Sequence, residues 1–252
     1  LLSINYNLAN TMDKMTKSLI RYGYTAILDA GYSPADLRGG NINVYMHTTV
    51  SDDESRLLCG GLTSPTPFLL GLNRTMQANR ISAYFNFHGT SIAHQGSYDN
   101  VFEALKVAYE ELSKGRCDGC LVGASNLCLH PHTSMEYQEL DLITKDPVNR
   151  PLDDNANGYI RADSTGVFYL QRKSDARRIY AEIVNVGSIY IGDRLGSFLT
   201  REEKYMVQLL EDTYRQCGVK PNDISYLETG SWANKVLDTQ ELNVIRKVFG
   251  EK

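Results

Sequence analysis

The stretch from Val101 to Ala124 constrains the fold more than any other part of the chain. Val101, Phe102, Leu105, Ala108, Tyr109 and Leu112 form one apolar stripe at helical spacing, with Glu103, Lys106, Glu110 and Glu111 opposite. Gly115 closes the pattern, and Cys120-Leu-Val-Gly-Ala follows as a short apolar run suited to a buried strand. A helix laid between strands is how a chain crosses over a parallel sheet. The alternation recurs. A helix is expected over Lys17–Ala30, with Leu19, Tyr22, Ala26 and Ile27 inward and Gly31 as its stop. A turn at Pro34 leads to a strand over Asn41–His47, with Ile42, Val44 and Met46 on one face and Tyr45 on the other. The chain up to Asp13 reads as irregular and Ser51–Pro67 as a loop, followed by a helix over Phe68–Ile81. His130-Pro-His-Thr leads into a helix carrying Met135 and Leu140. Strands are expected at Gly166–Leu170, Ala181–Ile191 and Ile224–Leu227, and capped helices at Thr200-Arg-Glu-Glu203 and Asp238-Thr-Gln-Glu241. Strands alternating with helices predict an α/β fold with a largely parallel, helix-covered sheet.

Charge narrows the function classes. The 252 residues carry a net charge of −4, which offers no general attraction to nucleic acid or to an anionic membrane. No apolar run reaches the roughly 18–20 residues that span a bilayer. Leu1-Leu-Ser-Ile-Asn is no signal peptide and lacks an initiating Met, so the natural N-terminus is expected elsewhere. Five scattered cysteines include Cys117-Asp-Gly-Cys120, but no second pair or His cluster completes a zinc site. Reduced, buried thiols of a cytoplasmic protein are the expectation, with no metal and no cofactor.

Phe85-Asn-Phe-His-Gly-Thr-Ser-Ile-Ala-His-Gln-Gly-Ser-Tyr98 leads into the Val101–Leu112 helix. It reads as an extended aromatic stretch that turns at Gly89, crosses a polar segment and enters the helix. Such a junction is where α/β enzymes place a nucleophile, since the helix N-terminus carries unpaired N–H groups and partial positive charge. His94, Ser97 and Asp99 invite a triad reading, yet no G-x-S-x-G elbow is present and triad members come from distant segments. His130 and His132 flank Pro131 without a third ligand, and cap the helix or face solvent. Asp153, Asp154 and Asn155 lack the spacing of a calcium loop and read as an Asx turn.

Several segments carry a more specific signal: Ala26-Ile-Leu-Asp-Ala-Gly with Asp36-Leu-Arg-Gly, Ala78-Asn-Arg-Ile-Ser-Ala-Tyr-Phe-Asn-Phe-His-Gly-Thr-Ser, Leu121-Val-Gly-Ala-Ser-Asn-Leu, and Asn157-Gly-Tyr with Arg161. To these add Ala176-Arg-Arg-Ile-Tyr-Ala-Glu-Ile-Val-Asn-Val-Gly and Tyr226-Leu-Glu followed by Lys235-Val-Leu-Asp-Thr-Gln-Glu-Leu-Asn. In this order, over nearly the whole chain, they resemble the β-ketoacyl synthase (condensing) domain of animal-type fatty acid synthase. The resemblance implies a thiolase-like fold of α/β/α/β/α layers, with residues 1–252 covering most of the first half and the opening of the second. The family's first strand and its C-terminal portion are expected to lie outside this chain.

That family joins an acyl chain to a malonyl unit with loss of CO₂. It uses a Cys at a helix N-terminus, two His residues and a Lys. The resemblance places Tyr98 at the Cys position and Gly230 at the first His position. Trp232 and Asn234 fall where two Thr residues line the pantetheine groove. The Lys and second His would follow Lys252. A phenol with pKa near 10 is almost fully protonated at pH 7 and cannot stand in for the thiolate. Condensing domains that carry Gln in place of Cys only decarboxylate, but Gln95 is not at that position. The resemblance thus implies an inactive copy serving as a structural platform, a homodimer meeting through strands near Phe85–Phe87. Acyl carrier protein or other synthase domains are the further partners it implies. Two alternatives stand beside it: a component of an active synthase whose chemistry lies in other domains, and an acyl-chain binding module, which Trp232 argues against.

Overall fold

A computed structural model describes residues 6–59, 71–96, 100–192 and 202–250. Its elements are α1 (Tyr6–Thr11), α2 (Lys14–Asp29), β1 (Ile42–Thr48), α3 (Asp52–Cys59), α4 (Gln77–Phe85), β2 (Ser91–Gln95), α5 (Asn100–Ser113), β3 (Gly119–Asn126), α6 (Pro131–Glu139), β4 (Ser164–Leu170), α7 (Glu203–Cys217) and α8 (Lys235–Phe249). They fall into two compact units, one of residues 1–131 with 162–183, the other of residues 132–161 with 184–252.

In the first unit a four-stranded sheet runs β2-β1-β3-β4. β1 pairs in parallel with both β2 and β3, and β4 closes the row antiparallel to β3, so the sheet is largely parallel, as expected, with one antiparallel edge. All seven residues of β1 are buried, as a strand covered on both faces requires. One face packs Ile42, Val44, Met46 and Leu121 against Leu19 and Ile27 of α2 and Ala78, Ile81 and Phe85 of α4. The other packs Tyr45, Cys120 and Val122 against Ala104, Ala108 and Leu112 of α5. Asp13 caps α2, accepting the Met15 and Thr16 amides at 2.7 and 3.2 Å, and takes a further hydrogen bond from the Ser51 hydroxyl.

Several expectations change. α2 starts earlier than Lys17, at the residue after its Asp13 cap, and Tyr22 is exposed while Gly23 faces the sheet. Residues before Asp13 include a helix turn, α1, and the expected loop holds α3 over Asp52–Cys59. Leu1–Asn5, Gly60–Leu70 and Thr200–Arg201 lie outside the described residues, so the start of the Phe68 helix and the Thr200 cap do too. Further on, that helix is interrupted at Asn73, and α4 runs to Phe85, where Asn86 ends it in a left-handed conformation. Phe85 and Phe87 are therefore not an extended stretch. They stack at 5.3 Å inside the core, 2% and 6% exposed. The strand comes after the turn at Gly89, where a Cβ would sit 2.4 Å from the Ile42 carbonyl oxygen, a separation only glycine permits. Phe102 points outward, 63% exposed, because Ala104, Ala108 and Leu112 meet the sheet instead.

In the second unit α7 and α8 pack together through Tyr214 on Phe249, centroids 5.9 Å apart at 84°. Glu203 accepts from Asn243 and Lys247 of α8. Asn185 donates to the Thr213 carbonyl of α7. The expected strands at Ala181–Ile191 and Ile224–Leu227 have no ladder partner among the described residues and are irregular. β-branched runs become strands only when a neighbouring backbone pairs with them. Met135 and Leu140 at α6 are exposed, with Thr133 buried in their stead. No described helix is long and apolar enough to cross a membrane.

These packing assignments are separable by mutation. Leu121→Ala removes a fully buried side chain and is expected to cost about 2–5 kcal/mol in urea unfolding. Phe102→Ala is expected to stay within about 0.5 kcal/mol, although both positions look equally apolar in sequence.

Candidate functional site

The junction singled out in the sequence is built by β2 and α5. β2 ends at Gln95 and α5 begins at Asn100. Gly96, at φ 140°, turns the chain, and the Asn100 side chain donates to the Gln95 carbonyl at 3.1 Å. Ser97, Tyr98 and Asp99 lie outside the described residues, so the His94–Ser97–Asp99 triad is not assembled among those described.

His94 stands in register with His47 of β1, so both occupy one face of the sheet, the face that also carries Tyr45. The Tyr45 and His94 rings lie 6.3 Å apart at 59°. Burial holds the His94 imidazole below its ordinary pKa, only partly opposed by the nearby Glu103 carboxylate, and its Nε2 is buried without a hydrogen-bond partner. Burial pushes the Tyr45 phenol up to about 12, although Asn43 donates to its oxygen at 3.0 Å. This face therefore holds a neutral imidazole and a protonated phenol.

The second expected site lies in the other unit, in the loop before α8. Glu241 accepts the Gly230 amide at 2.7 Å with Oε1 and the Ser231 amide at 3.1 Å with Oε2. Ser231 and Ala233 are both left-handed, at φ 46° and 51°, a strained pair for residues with a Cβ. The Ala233 carbonyl accepts the Gly158 amide at 2.7 Å, which ties the loop to the Asn157-Gly-Tyr segment. The Trp232 ring meets Tyr159 edge to face at 6.4 Å. A Cβ on residue 230 would lie 2.7 Å from Trp232 Nε1 and 3.3 Å from Glu241 Oε1. Asn234 is the helix cap, accepting the Val236 and Leu237 amides at 3.0 and 3.3 Å. The cap is therefore Asn234 rather than Asp238, which is buried and accepts the Leu152 amide at 2.9 Å. Thr229 and Ser231 hydroxyls bond each other. The loop thus presents no acid, base or nucleophile at residue 230.

The remaining candidates are structural. Asp153 accepts the Asn155 amide at 2.6 Å, an Asx turn. His132 pairs with Glu136 one helical turn on, at 3.2 Å, and the His130 amide donates to Asp52. Arg161 donates to Ser134 at 2.7 Å and lies over the Tyr137 ring. No three metal-ligating side chains converge among the described residues. Sequence reading missed His47 and the role of Glu241. The alternation after Tyr45 signals the first; the second is a tertiary contact across ten residues that spacing does not encode.

Known proteins place this geometry. Residues 1–176 match the model of the beta-ketoacyl synthase N-terminal domain, and residues 180–252 that of its C-terminal domain. A fatty acid synthase of Anser anser anser is 35% identical over 247 residues, 96% of this chain and 68% of that protein. A highly reducing polyketide synthase of Gibberella fujikuroi is 31% identical over 255 residues, 98% of this chain but 10% of that protein. The ketosynthase from module 6 of the bacillaene synthase of Bacillus subtilis 168 superimposes with a TM-score of 0.85 at 26% identity, over 99% of this chain and 44% of that one.

The buried imidazole sets a pH response. The unfolded chain titrates His94 near 6.5 while the folded chain binds that proton only at lower pH, so stability falls as pH drops below about 6.5. Urea midpoints measured across that range are expected to show this slope, and His94→Leu is expected to flatten it.

Proposed function

The chain belongs to the β-ketoacyl synthase family, and from that premise we propose that it is a ketosynthase domain that has lost condensation and serves as a dimerising platform in a cytoplasmic, fatty-acid-synthase-like polypeptide. The observation that carries the proposal is the pairing of Tyr98 with Gly230. Condensation needs a thiolate that attacks an acyl thioester and an imidazole that stabilises the malonyl enolate. A phenol near pKa 10 is the wrong group for the first step, and glycine contributes nothing to the second.

The loop geometry supports this reading. The place where a histidine side chain would leave residue 230 is taken by the Trp232 indole, 2.7 Å from the would-be Cβ. Asn234, the other groove position, is engaged with the α8 amides. The substitutions form a consistent set, since Gly230 tolerates Trp232 and Trp232 requires a residue without a side chain beside it. The same indole argues against an acyl-chain binding module. Chemistry in other domains of a longer synthase, including transfer from an acyl carrier protein, is compatible with this platform.

For dimerisation the relevant element is β2. It is the edge strand of the sheet, with one side paired to β1 and the other open among the described residues. Phe85 and Phe87 serve its packing from inside the core. An edge strand left open is a template for pairing with its own copy across a twofold axis.

Two measurements test the proposal. Mass-tagged malonyl and acyl thioesters offered to the protein in its natural polypeptide are expected to give no condensation product and no adduct on Tyr98. Either product overturns the loss of catalysis. Tyr98→Cys and Gly230→His are each expected to leave condensation undetectable, because each restores one group and Trp232 still obstructs the second. Light scattering is expected to find a dimer that Ile92→Lys, a charge placed on the exposed part of β2, shifts towards monomer; a wild-type monomer overturns the platform.

A further inference from the structure

The Cys117-Asp-Gly-Cys120 motif has no place in the ketosynthase reading, and its geometry is specific. Cys120 is the second residue of β3, and Cys117 precedes the strand by two residues. Their Sγ atoms lie 3.4 Å apart, both thiols are free, and the side chains are 1% and 0% exposed. The Cys120 thiol also points at the Ala108 carbonyl of α5, at 3.8 Å. The pair sits in the cluster that joins α5 to β1 and β3, beneath an exposed turn, Ser113–Arg116, that leaves α5 through the left-handed Gly115.

From the contact between these two sulfurs we propose that Cys117 and Cys120 form a reversible intramolecular disulfide, a modification site whose oxidant is a small disulfide such as oxidised glutathione. The sulfurs already lie in van der Waals contact, and the separation of three residues holds both on one local fold, so only a short approach brings them to bonding distance. The two thiols are not equivalent. Burial raises both, but their mutual contact lowers Cys117 and raises Cys120, and Glu111 raises each. Cys117, next to the exposed turn, is the attacking group, and Cys120, deeper in β3, resolves it. A Cys117 thiolate attacks glutathione disulfide, giving a mixed disulfide on Cys117 and one glutathione. The Cys120 thiolate then attacks Cys117 Sγ and expels the second glutathione. The dithiol loses two electrons, glutathione disulfide gains them, and the two thiol protons end on the two glutathiones. Access requires the Ser113–Arg116 turn to open, so the reaction is gated by local unfolding of the α5 C-terminus rather than by the thiol chemistry.

The experiment holds the folded chain in oxidised glutathione, quenches with iodoacetamide in denaturant, and maps the cysteines by mass spectrometry. The expected result is a peptide containing Cys117 and Cys120 that takes up no label and is lighter by two hydrogens, and that regains both labels after reduction. Cys120→Ala, with its fold checked by circular dichroism, is expected to trap glutathione on Cys117, while Cys117→Ala leaves Cys120 as a free thiol. The proposal is overturned if the wild-type pair is fully labelled once Cys128 and Cys217 have reacted, or if either sulfur is joined to one of those residues instead. The wild-type map decides the matter even where a variant fails to fold.

Discussion

The burial of β1 on both faces is the constraint on which the first unit depends. A strand with seven buried residues in a row must find all its backbone partners in neighbouring strands and all its side-chain contacts in helices above and below. β2 and β3 supply the first, α2 and α4 one set of contacts, and α5 the other. Because β1 is parallel to both neighbours, each strand must be left by a crossover. β2 therefore ends on the same edge of the sheet as β1, and α5 starts there. The junction between β2 and α5 is thus a consequence of how β1 is buried.

The second site is organised by a single carboxylate. Glu241, on the second turn of α8, holds two consecutive amides of the loop that precedes the same helix. With Asn234 accepting the Val236 and Leu237 amides and the Ala233 carbonyl accepting Gly158, the loop is anchored at several backbone groups. Such a loop tolerates left-handed Ser231 and Ala233 because the surrounding bonds over-determine it. Gly230 and Trp232 fit together within it, because a residue without a side chain leaves room for the indole.

The same separation explains the interior of the first unit. His94, Tyr45, Cys117 and Cys120 are polar or reactive groups in a face otherwise built for packing. Burial there favours the neutral form of each, so they behave as bulky core residues near neutral pH. The exception is the pair of cysteine sulfurs, which already lie in contact at 3.4 Å.

By itself the sequence determined the α/β class, the placement of α2, β1, α5, β3 and β4, and the family, since these rest on local periodicity and on motif order. Tertiary structure decided the rest. It turned Phe102 and Tyr22 outward, because a helix stripe is wider than the strip that one sheet face covers. It left Ala181–Ile191 and Ile224–Leu227 without ladders, because a strand exists only beside another. It moved the strand of the junction from Phe85–Phe87 to Ser91–Gln95, because two phenyl rings gain more from the core than from a sheet edge. And it assigned Glu241 to the loop amides and brought Cys117 against Cys120, contacts set by three-dimensional proximity rather than by spacing.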